Sequence, residues 1–215
     1  AAPRRAFEGT GGWARRGMMD FLRDPEQVPV LPAPGRGDHS TATALFAAIM
    51  SGLYRRERTG EGSHVSTSLA ATGVWANGMA IQGVIAGQDA GERRQRGSWP
   101  APLGDCYRCA DGRFLVLAIV NVDREYPLLC EALGHKDWLS DERFATIYDA
   151  MKHRDLFYAQ VCDAFASRPY EEIAEQLETL GVTYAEAQSM GDVIVDEQLR
   201  ANGIIVETGE PDSDY

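Results

Sequence analysis

The chain has 215 residues, 44% of them hydrophobic and 25% charged, a balance that allows a sizeable core and excludes disorder of the whole chain. A formal charge of -11 and a pI near 4.8 argue against binding along a nucleic-acid backbone or an anionic membrane, since both depend on Lys and Arg. A polyanionic small molecule is still compatible, because a few local arginines or one helix N-terminus suffice to hold phosphates.

The chain opens with residues around Trp13 that carry Gly9, Gly11, Gly12 and Gly17, followed by Met18, Met19, Phe21 and Leu22. This reads as a loop entering a short helix. Residues 24–38 hold four prolines and two glycines, which forbids regular helix and favours an extended crossing segment, a linker or the wall of a cleft. From His39 to Arg58 the spacing of Ala44, Leu45, Ala47, Ala48, Ile49 and Leu53 predicts a helix of about four to five turns, with Ser40 or Thr41 as its cap. Residues 59–62 break it, His64–Ser68 is β-prone, and a second apolar helix is expected from Leu69 to Ala86. Its glycines, Gly73, Gly78 and Gly83, cost helix propensity and point to close packing against another backbone.

Residues 87–104 form a polar, basic, Gly/Pro-rich loop. Between 105 and 120 the pattern predicts a β-hairpin turning on Asp111-Gly112 through two residues. Glu125–Leu133, Arg154–Ser167 and Tyr170–Leu180 read as amphipathic helices, with Gly134 and Gly181 at their C-caps. Met190–Ile205 offers a short helix and an extended tail. The fold class expected is α+β, with no doubly wound core.

No stretch approaches the ~18 consecutive apolar residues of a spanning helix, and the first residues lack the apolar core of a signal peptide, so the expectation is a cytoplasmic protein. Cys106, Cys109, Cys130 and Cys162 are expected as reduced thiols. The single CxxC at Cys106 and Cys109 lacks the further ligands that zinc requires, and no metal is expected. The opening at Ala1 in dense sequence suggests a beginning inside a longer fold.

Three stretches resemble the class III CoA-transferase family, also described as CaiB/BaiF, which includes formyl-CoA transferases and α-methylacyl-CoA racemases. Gly37-Asp38, a helix, and then Arg56 through Leu69 are similar to a pattern of the kind R-x-x-T-G-x-G-Q-x-V-x-x-S-L, departing from it at Ser63. Tyr107 to Gly112 resembles a Y-x-x-x-D-G hairpin. Asp141 to Phe144, the helix led by Arg154, and Gly181-Val182 resemble a D-x-R-F, helix and G-[IV] series. Together they span nearly all of residues 35–206.

The resemblance implies the α+β portion of this fold. Residues 1–98 would be a helical segment of the large domain and 99–190 a small domain with an antiparallel hairpin and helices. Residues 191–215 would return toward the large domain. The Rossmann-like N-terminal half would be absent. The family further implies an interlocked homodimer, or a complement to a separate N-terminal half, with CoA or acyl-CoA as substrate, a carboxylic acid as its partner and no tightly bound cofactor.

Chemistry of this class needs a carboxylate that attacks the acyl thioester, because the acyl adduct must itself be labile. In the family an aspartate precedes a W-A-R-S-G-like run. Phe7 through Gly17 matches that run, with Glu8 at the aspartate's position. The extra methylene displaces the carboxylate, and a shift on the order of 1 Å can cost about a hundredfold in rate. Glu8 therefore has three readings: nucleophile, base for proton abstraction, or structural carboxylate.

Glycines around Glu8 can offer N–H groups to an oxyanion. Gly97 and Ser98, in the loop with Arg93, Arg94 and Arg96, stand where a lid contacting CoA would lie, and otherwise form a solvated loop. His39 is a helix-entry contact or a site residue. His64, His135 and His153 have no serine or cysteine partner, so a Ser/His/Asp triad is not supported. The function expected is CoA transfer between an acyl-CoA and a carboxylic acid. The rivals are an acyl-CoA racemase and an inactive assembly partner.

Overall fold

The computed structural model describes residues 6–23, 27–88, 102–207 and 209, and contacts divide the chain into two compact units, Ala1–Gln95 and Arg96–Tyr215. The first unit opens with a π-helical turn, Glu8–Trp13, followed by a 3-10 turn, Ala14–Arg16. Gly17, at φ 78°, supplies the left-handed conformation that lets the chain start α1 (Met18–Phe21). The proline-rich segment then leads into α2 (Arg36–Thr59), which begins before the predicted His39.

Ser40 and Thr41 are not the cap. Their hydroxyls donate to the Gly37 carbonyl at 3.0 and 2.8 Å within the first turn, and Gly35 holds the N-cap position. No strand forms over residues 64–68. A β-prone run without a neighbouring strand leaves its ladder unpaired, and Ser68 instead caps α3 (Leu69–Ala76) by accepting from the Ala71 N–H at 3.1 Å. The helix expected over 69–86 is two helices, α3 and α4 (Gly78–Ile85), interrupted at Asn77. The Asn77 amide donates to the Arg16 carbonyl at 3.0 Å.

In the second unit β1 (Cys106–Arg108) pairs antiparallel with β2 (Phe114–Leu117), Arg108 opposite Phe114. The turn is longer than two residues. The Cys109 N–H donates to the Arg113 carbonyl at 2.9 Å, so Ala110, Asp111 and Gly112 close the hairpin, with Gly112 at φ 87°. Asp111 is drawn out of the turn to accept from the Tyr170 N–H at 3.1 Å. The sequence offered no sign of a third strand, Tyr184–Glu186 (β3), which completes the antiparallel order β1-β2-β3.

Around the sheet pack α5 (Val122–Ala132), α6 (Ile147–Lys152), α7 (Arg154–Ala166) and α8 (Tyr170–Leu180). α8 buries Tyr170, Ile173, Ala174 and Leu177, a stripe at helical period, and ends at Gly181 with φ 71°. Two short helices follow, α9 (Met190–Val195) and α10 (Glu197–Ala201), where one was expected. Asp196 separates them and caps α10 by accepting from the Leu199 N–H at 2.9 Å.

Among the described residues the buried hydrophobic cluster runs from Leu103 to Val182. The Tyr107 ring stacks on Phe165 with centroids 4.6 Å apart, and its hydroxyl donates to the Pro102 carbonyl at 2.6 Å. Phe157 sits among Tyr126, Trp138 and Phe144. The first unit is built differently. Its fully buried described residues are Gly11, Gly12, Arg16, Gly37 and Gly73, while Phe46 and Trp75 are 64% and 83% exposed.

Candidate active site

Glu8 begins the π-helical turn and reaches across to the N-terminus of α2. Its Oε2 accepts from the Gly35 N–H at 2.7 Å, and its Oε1 accepts from the Gly37 N–H and, at 3.4 Å, from the Asp38 N–H. These are amides that a helix start leaves without intrahelical partners, at the positive end of its dipole. The backbone N–H of Gly37 holds the Glu8 carboxyl below the usual carboxylate range. Desolvation opposes this, while the Gly35 and Asp38 amides and the charge of His39 reinforce it. The carboxylate is half-buried, and Oε2 accepts one hydrogen bond among the described residues, which leaves it a second lone pair.

Two glycines make this approach possible. Gly35 has φ 89°, and a Cβ there would meet His39 Cε1 at 2.8 Å. At Gly37 a Cβ would lie 3.1 Å from Glu8 Cγ and 3.4 Å from Arg16 Nη2. The oxyanion donors expected from the glycines beside Glu8 are partly engaged locally, since the Gly11 N–H bonds the Phe7 carbonyl at 2.7 Å. The amides that the carboxylate finds come instead from the loop entering α2.

Arg16 is the residue that the sequence reading missed. It is only 9% exposed. Its guanidinium lies 5.1 Å from the centroid of the Trp13 ring, and its side chain passes over Gly73, where any Cβ would fall inside it. Burial lowers the Arg16 pKa, opposed by the charge of Glu8. Arg16 Nε and Trp13 Nε1 are buried with no hydrogen-bond partner among the described residues. The only sequence signal was an Arg-Arg pair about two helical turns after a carboxylate, which ordinarily reads as a solvated face.

His39 stands in the first turn of α2, with its ring against Gly35. His64 lies in exposed extended chain, His135 stacks on Trp138 at 4.4 Å, and His153 precedes α7. Gly97 and Ser98, with the arginines of their loop, lie outside the described residues. The four cysteines are free thiols, and no metal-binding cluster of His, Cys, Asp or Glu occurs among the described residues. Among these residues no helix is long and apolar enough to cross a membrane.

Residues 1–215, the whole chain, match CoA-transferase family III. The chain belongs to this family. Among curated members it is 27% identical to (R)-2-hydroxy-4-methylpentanoate CoA-transferase of Clostridioides difficile, over 93% of this chain and 49% of that protein. It is also 27% identical to cinnamoyl-CoA:phenyllactate CoA-transferase of Clostridium sporogenes, over 95% of this chain and 50% of that protein. The chain therefore spans about half the length of the curated relatives it matches.

Solved structures share the class III fold. The crystal structure of Rv3272 from Mycobacterium tuberculosis superposes with a TM-score of 0.77 at 21% identity, over 93% of this chain and 52% of that one. A CaiB/BaiF family protein from Brucella suis gives 0.75 at 24% identity, over 94% of this chain and 54% of that one.

Proposed function

We propose that this chain carries the nucleophile-bearing part of an acyl-CoA:carboxylate CoA-transferase, with Glu8 as the nucleophile. The observation that carries the reading is a half-buried carboxylate clamped by three backbone N–H groups at the head of a long helix in a family III chain. In that role a Glu8 oxygen attacks the thioester carbonyl carbon. A C–O bond forms, the C–S bond breaks, and CoA leaves as the thiolate, giving a mixed anhydride. The thiolate then attacks the Glu8 carbonyl carbon and the first acid departs as its carboxylate. A second acid reverses the sequence. Preorganised amides hold the carboxylate in one orientation, which removes reorganisation from the reacting step.

The racemase alternative would use the same carboxylate to remove an α-proton, and the transferase reading is preferred because the relatives carry CoA-transferase names. In this reading the rest of the site is completed either in an interlocked homodimer or by a separate N-terminal half that this chain complements. In this reading Gly97 and Ser98 contact CoA, and residues 191–215 return toward the large domain. The relatives' named substrates, all carboxylic acids as CoA esters or free acids, are consistent with an acid acceptor here.

The test is intact mass spectrometry after incubation with a panel of acyl-CoAs and hydroxylamine, with the native protein complete. A hydroxamate mapped to Glu8 supports the nucleophile. An unmodified Glu8 in a protein that turns over acyl-CoA removes it.

A further inference from the structure

Glu8 and Arg16 are neighbours that do not bond each other. Both face the missing Cβ of Gly37, Glu8 Oε1 at 3.2 Å from that position and Arg16 Nη2 at 3.4 Å. The carboxylate is already held by the amides of Gly35, Gly37 and Asp38. Arg16 is therefore not its anchor. The guanidinium makes no hydrogen bond or ion pair with any described residue, and its Nε is sealed without a partner. A buried cation with unmade N–H bonds is unfavourable unless an anion completes it. The guanidinium itself occupies the room left by absent side chains at Gly73, Gly37 and Gly12, and Trp13 covers one face of it.

We propose that Arg16 is a substrate-binding residue that receives the carboxylate of the acid substrate beside Glu8. The identification of the ligand rests on the transferase reading. While Glu8 carries acyl or CoA it has lost its negative charge, and Arg16 then has no compensating anion. The acid leaves at that moment, as the CoA sulfur forms its bond to the Glu8 carbonyl carbon and the anhydride C–O bond breaks. The departing oxygen keeps the electron pair, and no proton moves. A planar guanidinium matches the carboxylate with paired N–H donors. The acceptor acid enters against the same group.

The experiment uses the native protein with 15N-labelled arginine and butyrate as the probe. The Arg16 Nε–H signal is expected to shift saturably with butyrate and not with equal chloride, and the butyrate affinity is expected to fall at least tenfold in Gly73→Ala and in Arg16→Lys. An Arg16 signal that ignores butyrate, or responds equally to chloride, overturns the proposal, as does unchanged affinity in the folded variants. Hydroxylamine trapping is scored in parallel. A butyrate shift without trapped Glu8 keeps the anion site and removes the transferase reading; trapped Glu8 without a shift does the reverse.

Discussion

At Glu8 the chemistry depends on one side-chain length. The amides that clamp its carboxylate are built for glutamate reach, because Gly35 and Gly37 stand directly under its oxygens. Glu8→Asp, although it restores the residue type of the family pattern, withdraws the carboxylate by one methylene and is expected to lower kcat by about a hundredfold. Glu8→Gln is expected to abolish hydroxamate formation while the fold persists, as checked by trapping and circular dichroism. Ionisation follows the same contacts. Glu8 has a folded pKa below its ordinary 4.5, so its stabilising contribution is complete above that value and is lost as the pH falls through the folded pKa. A 13C titration of the Glu8 carboxyl should give a midpoint below 4.5; a midpoint at or above it would mean that the amides do not bind the ionised form. Glu8 was legible in the sequence because a carboxylate preceded a W-A-R-S-G-like run. Arg16 was not, since its burial depends on the absent side chain of Gly73, 57 positions away by the numbering.

At the scale of elements, α7 and α8 hold the second unit together. Phe165 on α7 is fully buried against the Tyr107 ring of β1. Phe165→Ala is expected to destabilise this unit by about 3–5 kcal/mol through lost burial and a cavity, read from the urea midpoint. Gly181→Ala should cost less, about 1 kcal/mol, because it forces a left-handed residue at the C-cap without touching the core. Both helices were visible as 3.6-residue periodicity, closed for α8 by the capping signal at Gly181. β3 was not, because Tyr184–Glu186 is three residues long and gains its place only by pairing with β2. The expected strand over 64–68 failed for the converse reason: its residue types suit a sheet, but no strand lies beside it among the described residues. The helix over 69–86 broke at Asn77, whose amide satisfies the Arg16 carbonyl.

The whole molecule combines two units of unequal self-sufficiency. All buried core hydrophobics fall between Leu103 and Val182, whereas α2, α3 and α4 leave Phe46, Ile49, Met50, Tyr54, Trp75 and Met79 exposed. An apolar surface of this kind needs a cover in solution. Residues 102–207 are therefore expected to unfold cooperatively in urea as an isolated fragment, while residues 6–88 alone should bind a hydrophobic dye and show no sharp transition. A sharp, dye-free transition from the 6–88 fragment would mean that this face needs no further chain.

The candidacy of Glu8 rested on the resemblance of residues 7–17 to a family run, whereas by itself the sequence determined what depends on local pattern: the α+β class, the long helix before Thr59, the hairpin near Gly112, and α7 and α8. Each of these is written in neighbouring residues as period, cap or turn chemistry. Only the tertiary structure decided that the Glu8 carboxylate meets the amides of Gly35, Gly37 and Asp38, which lie 27, 29 and 30 positions away along the chain. It alone placed Arg16, buried and without an ion-pair partner among the described residues, beside that carboxylate. Contacts across such separations are set by how helices pack over side-chain-free positions, and local composition carries no record of that packing.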